Sequence, residues 1–355
     1  MHSLNNKSFL YLIVSILYLI FYPFYIKYYT GSSAYESILS LSKGISNYGL
    51  YQQNFQDSNL GAFSFSKLPF ILGHGVLRFI FIVLVFRAIS FKENTTLIEK
   101  ISISFMSITI VIVGISRGTS FELFELFLIF LFAFTSKKYL RDNKERLQIK
   151  TLFKIVVIAA VLIYYFFYNI NIRMGDSFDY LDLPDFDKGA YIYIISKPIA
   201  LVLYSLYGYF LFGLYFNSTA ILNLWITSFS GFISVLIPNG IKKIGIDNNY
   251  REFVGKIIDL GAMWNPDSSV YIDSYGIIFT LIFIFLIGKF SNIIFRKISS
   301  NLAALCLLFF IFYIFVSMPI GNFISSSSAN IISIILALIC YKFNLLKFKP
   351  KFSEY

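Results

Sequence analysis

The chain has 355 residues, of which 57% are hydrophobic and 14% charged, and its mean hydropathy is +0.71. A soluble domain carries about a quarter charged residues, so this composition excludes a soluble globular protein and points to a polytopic membrane protein. The net charge of +11 would suggest nucleic acid in a soluble chain; here it fits an excess of Lys and Arg in cytoplasmic loops and an anionic lipid substrate, and no nucleic-acid partner is expected.

In chain order, apolar segments fall near residues 9–26, 68–90, 101–115, 121–135, 152–168, 191–215, 222–237, 270–287, 302–316 and 323–341. A helical span needs about 17–25 residues, so the shorter segments require extension or a kink. The expected fold class is therefore all-α: one membrane domain over residues 1–355, a helical bundle of about ten spans. The first segment is too long and too aromatic for a signal peptide and reads as a retained anchor. Orientation follows from three basic clusters: Lys137, Lys138, Arg141, Lys144, Arg146 and Lys150; Lys289, Arg296 and Lys297; Lys342, Lys347, Lys349 and Lys351. With ten spans all three share the side of the N-terminus, which places both termini in the cytoplasm. Loops near 27–67, 169–188 and 238–269 then lie outside.

The last of these loops, with the entry to the next span, stands apart. Residues 238–276 are polar and doubly charged between membrane-grade hydrophobes, and the basic charge lies on the side where topology does not ask for it. Tyr250, Phe253, Val254, Ile257 and Ile258 recur at helical spacing, with Asn248 as N-cap and Gly261 as stop. A short interfacial helix is expected, with Arg251, Glu252, Lys256 and Asp259 on its polar side and Lys242 and Lys243 before it.

Charges inside the apolar segments are costly and usually face a bundle interior. His74 and Arg78 lie four residues apart on one helix face, and Arg78 either snorkels or pairs with a glutamate. Glu122 and Glu125 open the fourth segment beside Arg117, an arrangement suited to an anion or a sugar. Thr119-x-x-Glu122 also has the form of a capping box, so Glu122 can be read simply as a cap. The loop at 169–188 carries Asp176, Asp179, Asp182, Asp185 and Asp187 with Phe178, Tyr180 and Phe186 between them, and Arg173 at its start. Carboxylates with aromatic rings suit carbohydrate; the alternative is a plain solvated loop. No nucleotide-cradling glycine motif and no Cys/His cluster is present, so no cofactor and no metal are expected. Cys306 and Cys340 lie in apolar segments and imply no disulfide. A histidine acting as general base would have to be His74, since the other histidine is His2.

The segment SSVYIDSYGIIFTLIFIFLIGKFSNIIFRK resembles the late signature of the Wzy-type O-antigen polymerases, through Ser268, Tyr271, Asp273, Gly276, Gly288 and Lys289. GISRGTSFEL is similar to that family's small-residue–Arg turn, and YSLYGYFLFGLYFN to its mid-chain helix. The resemblance implies a glycosyltransferase-type polysaccharide polymerase of the bacterial inner membrane. Its substrates would be undecaprenyl-diphosphate-linked oligosaccharides, in contact with membrane lipids and, left open, a separate chain-length regulator. Because the glycosyl–diphosphate bond carries the energy, no nucleotide is needed. Basic side chains would stabilise the leaving diphosphate, with Arg251, Arg173, Arg117, Lys242, Lys243 and Arg78 as candidates. Asp259, Asp273 and Glu125 are the candidate acceptor-activating carboxylates, with Arg251 also in the catalytic set, and Asp176, Asp179 and Tyr180 would contact glycan. Rival readings are a membrane O-acyltransferase acting on surface glycan, a flippase for the lipid-linked unit, and the ligase that transfers finished glycan.

Overall fold

The computed structural model describes residues 6–42, 47–58, 64–91, 95–140, 267–321 and 327–347, with short pieces between 157 and 218 and residue 324. The chain divides into two compact units, Met1–Ala190 and Tyr191–Tyr355. Among the described residues all regular structure is helical, apart from one isolated bridge between Asn301 and Lys347.

The first unit contains α1 (Asn6–Thr30), α2 (Ala34–Ser42), α3 (Asn47–Asp57), a 3₁₀ turn (Phe65–Lys67), α4 (Leu68–Phe86) continued by a π-helical turn (Arg87–Phe91), α5 (Leu97–Arg117) and α6 (Phe121–Leu140). The described hydrogen bonds fix how the long helices run. Tyr11 Oη donates to Leu84 O at 3.1 Å, Tyr18 Oη donates to Leu77 O at 3.1 Å, and Tyr22 Oη meets His74 Nδ1 at 3.0 Å, so α1 and α4 are antiparallel. Ser8 meets Thr96 at 3.3 Å and Ser15 Oγ donates to Ser102 O at 3.5 Å, so α1 and α5 are parallel. Arg78 pairs with Glu125, and Ser90 Oγ donates to Ala133 O at 2.9 Å, so α4 and α6 are parallel. The end of α1, the start of α4, the end of α5 and the start of α6 therefore lie at one end of the bundle. The other end gathers Arg87, Lys100, Lys137 and Lys138.

In hydrocarbon the contrast between water and oil no longer drives helices together, so close packing and polar contacts must hold them. Both are present. A Cβ on Gly73 of α4 would come within 2.4 Å of the Phe21 ring, so the glycine is what lets α1 approach. Positions 11, 18, 22 and 25 of α1 are separated by 7, 4 and 3 residues, which is one helix face, and all four tyrosines are buried.

The expected polar loop at 27–67 contains α2 and α3, which pack against the end of α5. The start of α2 is a capping box: Ser33 N–H donates to Glu36 Oε2 at 2.6 Å and Glu36 N–H to Ser33 Oγ at 3.2 Å. These bonds hold the Glu36 carboxyl below its ordinary range. A second capping box, Thr96 with Glu99, opens α5.

The second unit contains α7 (Tyr191–Ile195), α8 (Asp267–Phe295), α9 (Leu302–Ile320) and α10 (Ser328–Lys342). The central helix, α9, packs against α8 and α10, and its Ala303, Leu305, Phe309 and Tyr313 are fully buried. That helix is apolar around its whole circumference, as a helix enclosed by neighbours should be. Asn301 caps it by accepting from Ala303 N–H at 2.9 Å. Buried Asp267 ties the start of α8 to the α9–α10 link: its N–H donates to Gly321 O and its Oδ2 accepts from Ile324 N–H, both at 3.0 Å.

Five helical stretches among the described residues are long and apolar enough to cross a membrane: Ser8–Thr30, Phe65–Phe91, Leu97–Arg117, Ile277–Phe295 and Leu302–Pro319. Their length and apolar composition are those of membrane-crossing helices. The expected spans near 121–135 and 323–341 correspond to α6, which matches in length but carries Glu122, Glu125, Lys137 and Lys138, and to α10, which is short. Those near 152–168 and 191–215 are described only in pieces, and the one near 222–237 lies outside the described residues.

Candidate functional site

The polar end of the first unit is built from all six of its described α-helices. At the end of α5, Gly118 adopts a left-handed conformation (φ 60°), its N–H donates to Ile115 O at 3.0 Å, and Thr119 N–H donates to Gly114 O at 3.0 Å. This pair of bonds is a Schellman stop, and it turns the chain sharply into α6. A Cβ on Gly118 would lie 2.4 Å from the backbone nitrogen of Tyr48, so glycine also admits the start of α3. Asn47 locks that contact: its Nδ2 donates to Ser37 O at 2.8 Å and to Ile115 O at 2.9 Å.

The tight turn brings Arg117 and Glu122 together. Arg117 Nη1 donates to Glu122 Oε1 at 2.5 Å, and Thr119 Oγ1 donates to Glu122 Oε2 at 2.6 Å. The Thr119–Glu122 capping box is not formed. Its second half needs the Thr119 N–H, which the α5 stop has taken, and the Thr119 hydroxyl serves the carboxylate instead. Arg117 also donates to Tyr51 Oη at 3.3 Å and lies over the Tyr51 ring, 5.0 Å from its centre. With one edge on Glu122 and one face on Tyr51, the guanidinium keeps N–H groups uncommitted among the described residues, and its side chain is 26% exposed. An arginine held this way can offer a fork of donors to a phosphate.

One turn deeper, Arg78 and Glu125 form a second ion pair. Arg78 Nε donates to Glu125 Oε2 at 3.0 Å, Nη2 donates to Oε1, and both side chains are buried. The sequence left Arg78 between snorkelling and pairing; it pairs. Glu125, a candidate acceptor-activating carboxylate, has both oxygens on this guanidinium.

Between the pairs stands an aromatic group. His74 stacks on Tyr25 (ring centres 4.7 Å apart, 28° between planes) and meets Tyr22 edge-on at 5.7 Å. Tyr25 continues to Tyr29 at 4.8 Å, and Asn54 of α3 donates to Tyr29 O at 2.9 Å. His74 precedes Arg78 by four residues on α4, one helical turn, so the rings stand next to the deeper pair. Among the described residues no three His, Cys, Asp or Glu side chains converge as a metal site would require.

Of the residues singled out in the sequence, the fold brings together His74, Arg78, Arg117, Glu122 and Glu125. Tyr271 and Ser268 are buried in the first turns of α8, while Gly288 and Lys289 lie toward its other end, the Lys289 ammonium 5.6 Å from the centre of the Phe285 ring. The backbone of Asp273 belongs to α8, and its side chain lies outside the described residues, as do Arg173, Asp176, Asp179, Tyr180, Lys242, Lys243, Arg251, Asp259 and the expected interfacial helix. Asp187 closes a local turn by accepting from Gly189 N–H at 2.8 Å. Sequence reasoning passed over Tyr22, Tyr25, Tyr51, Asn47 and Asp267. A signal existed for the tyrosines of α1, whose 7-4-3-4 spacing over positions 11 to 29 marks one helix face.

No family model matches the chain, and no curated protein or solved structure does either. The functional reading therefore rests on the chemistry of the site and on the resemblance carried by the sequence motifs.

Proposed function

We propose that the protein polymerises oligosaccharide repeat units carried on a polyprenyl diphosphate, at the outer face of a bacterial inner membrane. The observation that carries this reading is the placement of Arg117. An aromatic-backed, partly exposed guanidinium stands at the membrane-boundary end of a helix bundle, opposite the end where Arg87, Lys100, Lys137 and Lys138 gather. The Arg117 end also carries Lys27 and Lys67, but the other end is the more basic and belongs in the cytoplasm. The Arg117 end then faces outward, where a lipid-linked glycan presents its diphosphate at the headgroup level. The similarity of GISRGTSFEL to the polymerase family's Arg turn falls on the same residues.

In this reading Arg117 exchanges part of its bond to Glu122 for the diphosphate and stabilises the charge that develops as the glycosyl bond breaks. Arg78, Arg173, Arg251, Lys242 and Lys243 are the further candidates for diphosphate binding in this proposal, and Asp176, Asp179 and Tyr180 the candidates for glycan contact. Asp259 and Asp273 remain the acidic candidates beside the acceptor, while Glu125 positions Arg78. The protein works with the lipid-linked oligosaccharide, without nucleotide.

The test is the surface glycan ladder of a strain deleted for this chain, complemented with wild type or Arg117→Ala. Wild type restores the long ladder. Arg117→Ala at normal protein level leaves single repeat units on the lipid core. If no unit reaches the core in the deletion strain, export or ligation replaces polymerisation; if only acyl groups are lost, the protein is an acyltransferase.

A further inference from the structure

We infer that His74 is the group that takes the proton from the acceptor sugar hydroxyl, with Tyr22 holding its ring in the working orientation; this rests on the polymerase reading.

The two glutamates of the site are already committed. Both oxygens of Glu125 accept from Arg78. Glu122 accepts from Arg117 at one oxygen and from Thr119 at the other. A carboxylate so engaged gives up charge-assisted bonds if it takes a proton, so it makes a poor base. His74 is placed differently. Its Nδ1 meets Tyr22 Oη at 3.0 Å, while Nε2 makes no hydrogen bond among the described residues. Such an imidazole, tethered through one nitrogen and open at the other, has the arrangement of a general base fixed by an orienting partner.

The surroundings keep the ring in place. Tyr25 stacks on one face, and Tyr22 approaches edge-on. Gly73 beside His74 lets the Phe21 ring of α1 pack close, which further fixes α4 against α1 at this level. With Nδ1–H donating to the Tyr22 oxygen, Nε2 carries the lone pair. Arg117 stands at the same end of the bundle, where α4 begins and α5 ends.

The acceptor hydroxyl oxygen attacks the anomeric carbon of the growing glycan. The new C–O glycosidic bond forms as the anomeric C–O bond to diphosphate breaks, and that electron pair leaves with the diphosphate. The hydroxyl proton goes to His74 Nε2 and is returned to the released lipid diphosphate.

The test uses the full-length protein and lipid-linked repeat unit extracted from the deletion strain. His74→Asn keeps a donor near the Nδ1 position for Tyr22 but has nothing at Nε2. His74→Gln places a polar atom near Nε2 that cannot take a proton. Both are expected to slow polymerisation by about 100-fold or more while binding of the lipid-linked unit stays within threefold of wild type. Polymerisation by His74→Asn within threefold of wild type would reduce His74 to a structural partner of Tyr22 and overturn the proposal; if that variant does not accumulate, His74→Gln decides by the same criterion. A wild-type protein that makes no polymer from this substrate would instead sink the polymerase reading, and the assignment of His74 with it.

Discussion

Arg78 and Glu125 show how a membrane helix tolerates charge. Each alone would be costly to bury; together they exchange more than one hydrogen bond within the bundle. Removing one partner strands the other, so Arg78→Ala is expected to destabilise the protein by about 3–5 kcal/mol. The double variant Arg78→Ala/Glu125→Ala should recover much of that loss. Thermal unfolding in detergent of the two single variants and the double variant measures the coupling; a double variant as unstable as the sum of the singles would show that the pair is not what holds α4 to α6. Residue identity made the pairing thinkable, because an intramembrane arginine needs a counter-ion. It did not select Glu125 over Glu122. That choice came from the α5–α6 turn, which delivers Glu122 to Arg117 and leaves Glu125 one turn further along its helix.

Among the helices, the α2–α3 pair illustrates a structure that composition hides. Its residues are polar enough to read as a loop, and neither helix is long enough to be stable alone, since isolated helices below about 12–15 residues are marginal in water. Both exist because they are held: Asn47 bridges Ser37 O and Ile115 O, Tyr51 backs Arg117, and Asn54 bonds Tyr29 O. Asn47→Ala should therefore raise amide hydrogen exchange across α2 and α3 with little change in α5 away from its last turn. Unchanged protection in α2 and α3 would show that tertiary burial, not the asparagine bridge, keeps them folded. Each carbonyl oxygen it satisfies belongs to the backbone of a different helix, and no spacing rule in the sequence connects positions 37, 47 and 115.

Over the whole molecule, the polarity of charge is what orients the chain. In the first unit Arg87, Lys100, Lys137 and Lys138 collect at one end; in the second, Asn301 and Lys347 share an end with Lys297 and Tyr341, away from Asp267 and Gly321. Reporter fusions after Ser58 and after Leu140 are expected to report opposite sides of the membrane, external and cytoplasmic. The same side for both would contradict the membrane-crossing paths of α4, α5 and α6 taken together and remove the outward placement of Arg117.

The membrane class, the apolar helices and the presence of costly charges within them were determined by the sequence alone, because a bilayer imposes length and hydropathy on each segment independently of its neighbours. Even His74 and Arg78 could be set on one face by counting. What only the tertiary structure decided was partnership: Glu125 for Arg78, Glu122 for Arg117, Tyr22 for His74, and a turn whose Thr119 N–H serves Gly114 rather than a capping box. These contacts join residues far apart in the chain or compete for the same donor. Which of them forms depends on how closely the helix backbones approach, and Gly73 and Gly118 set that approach by what they lack.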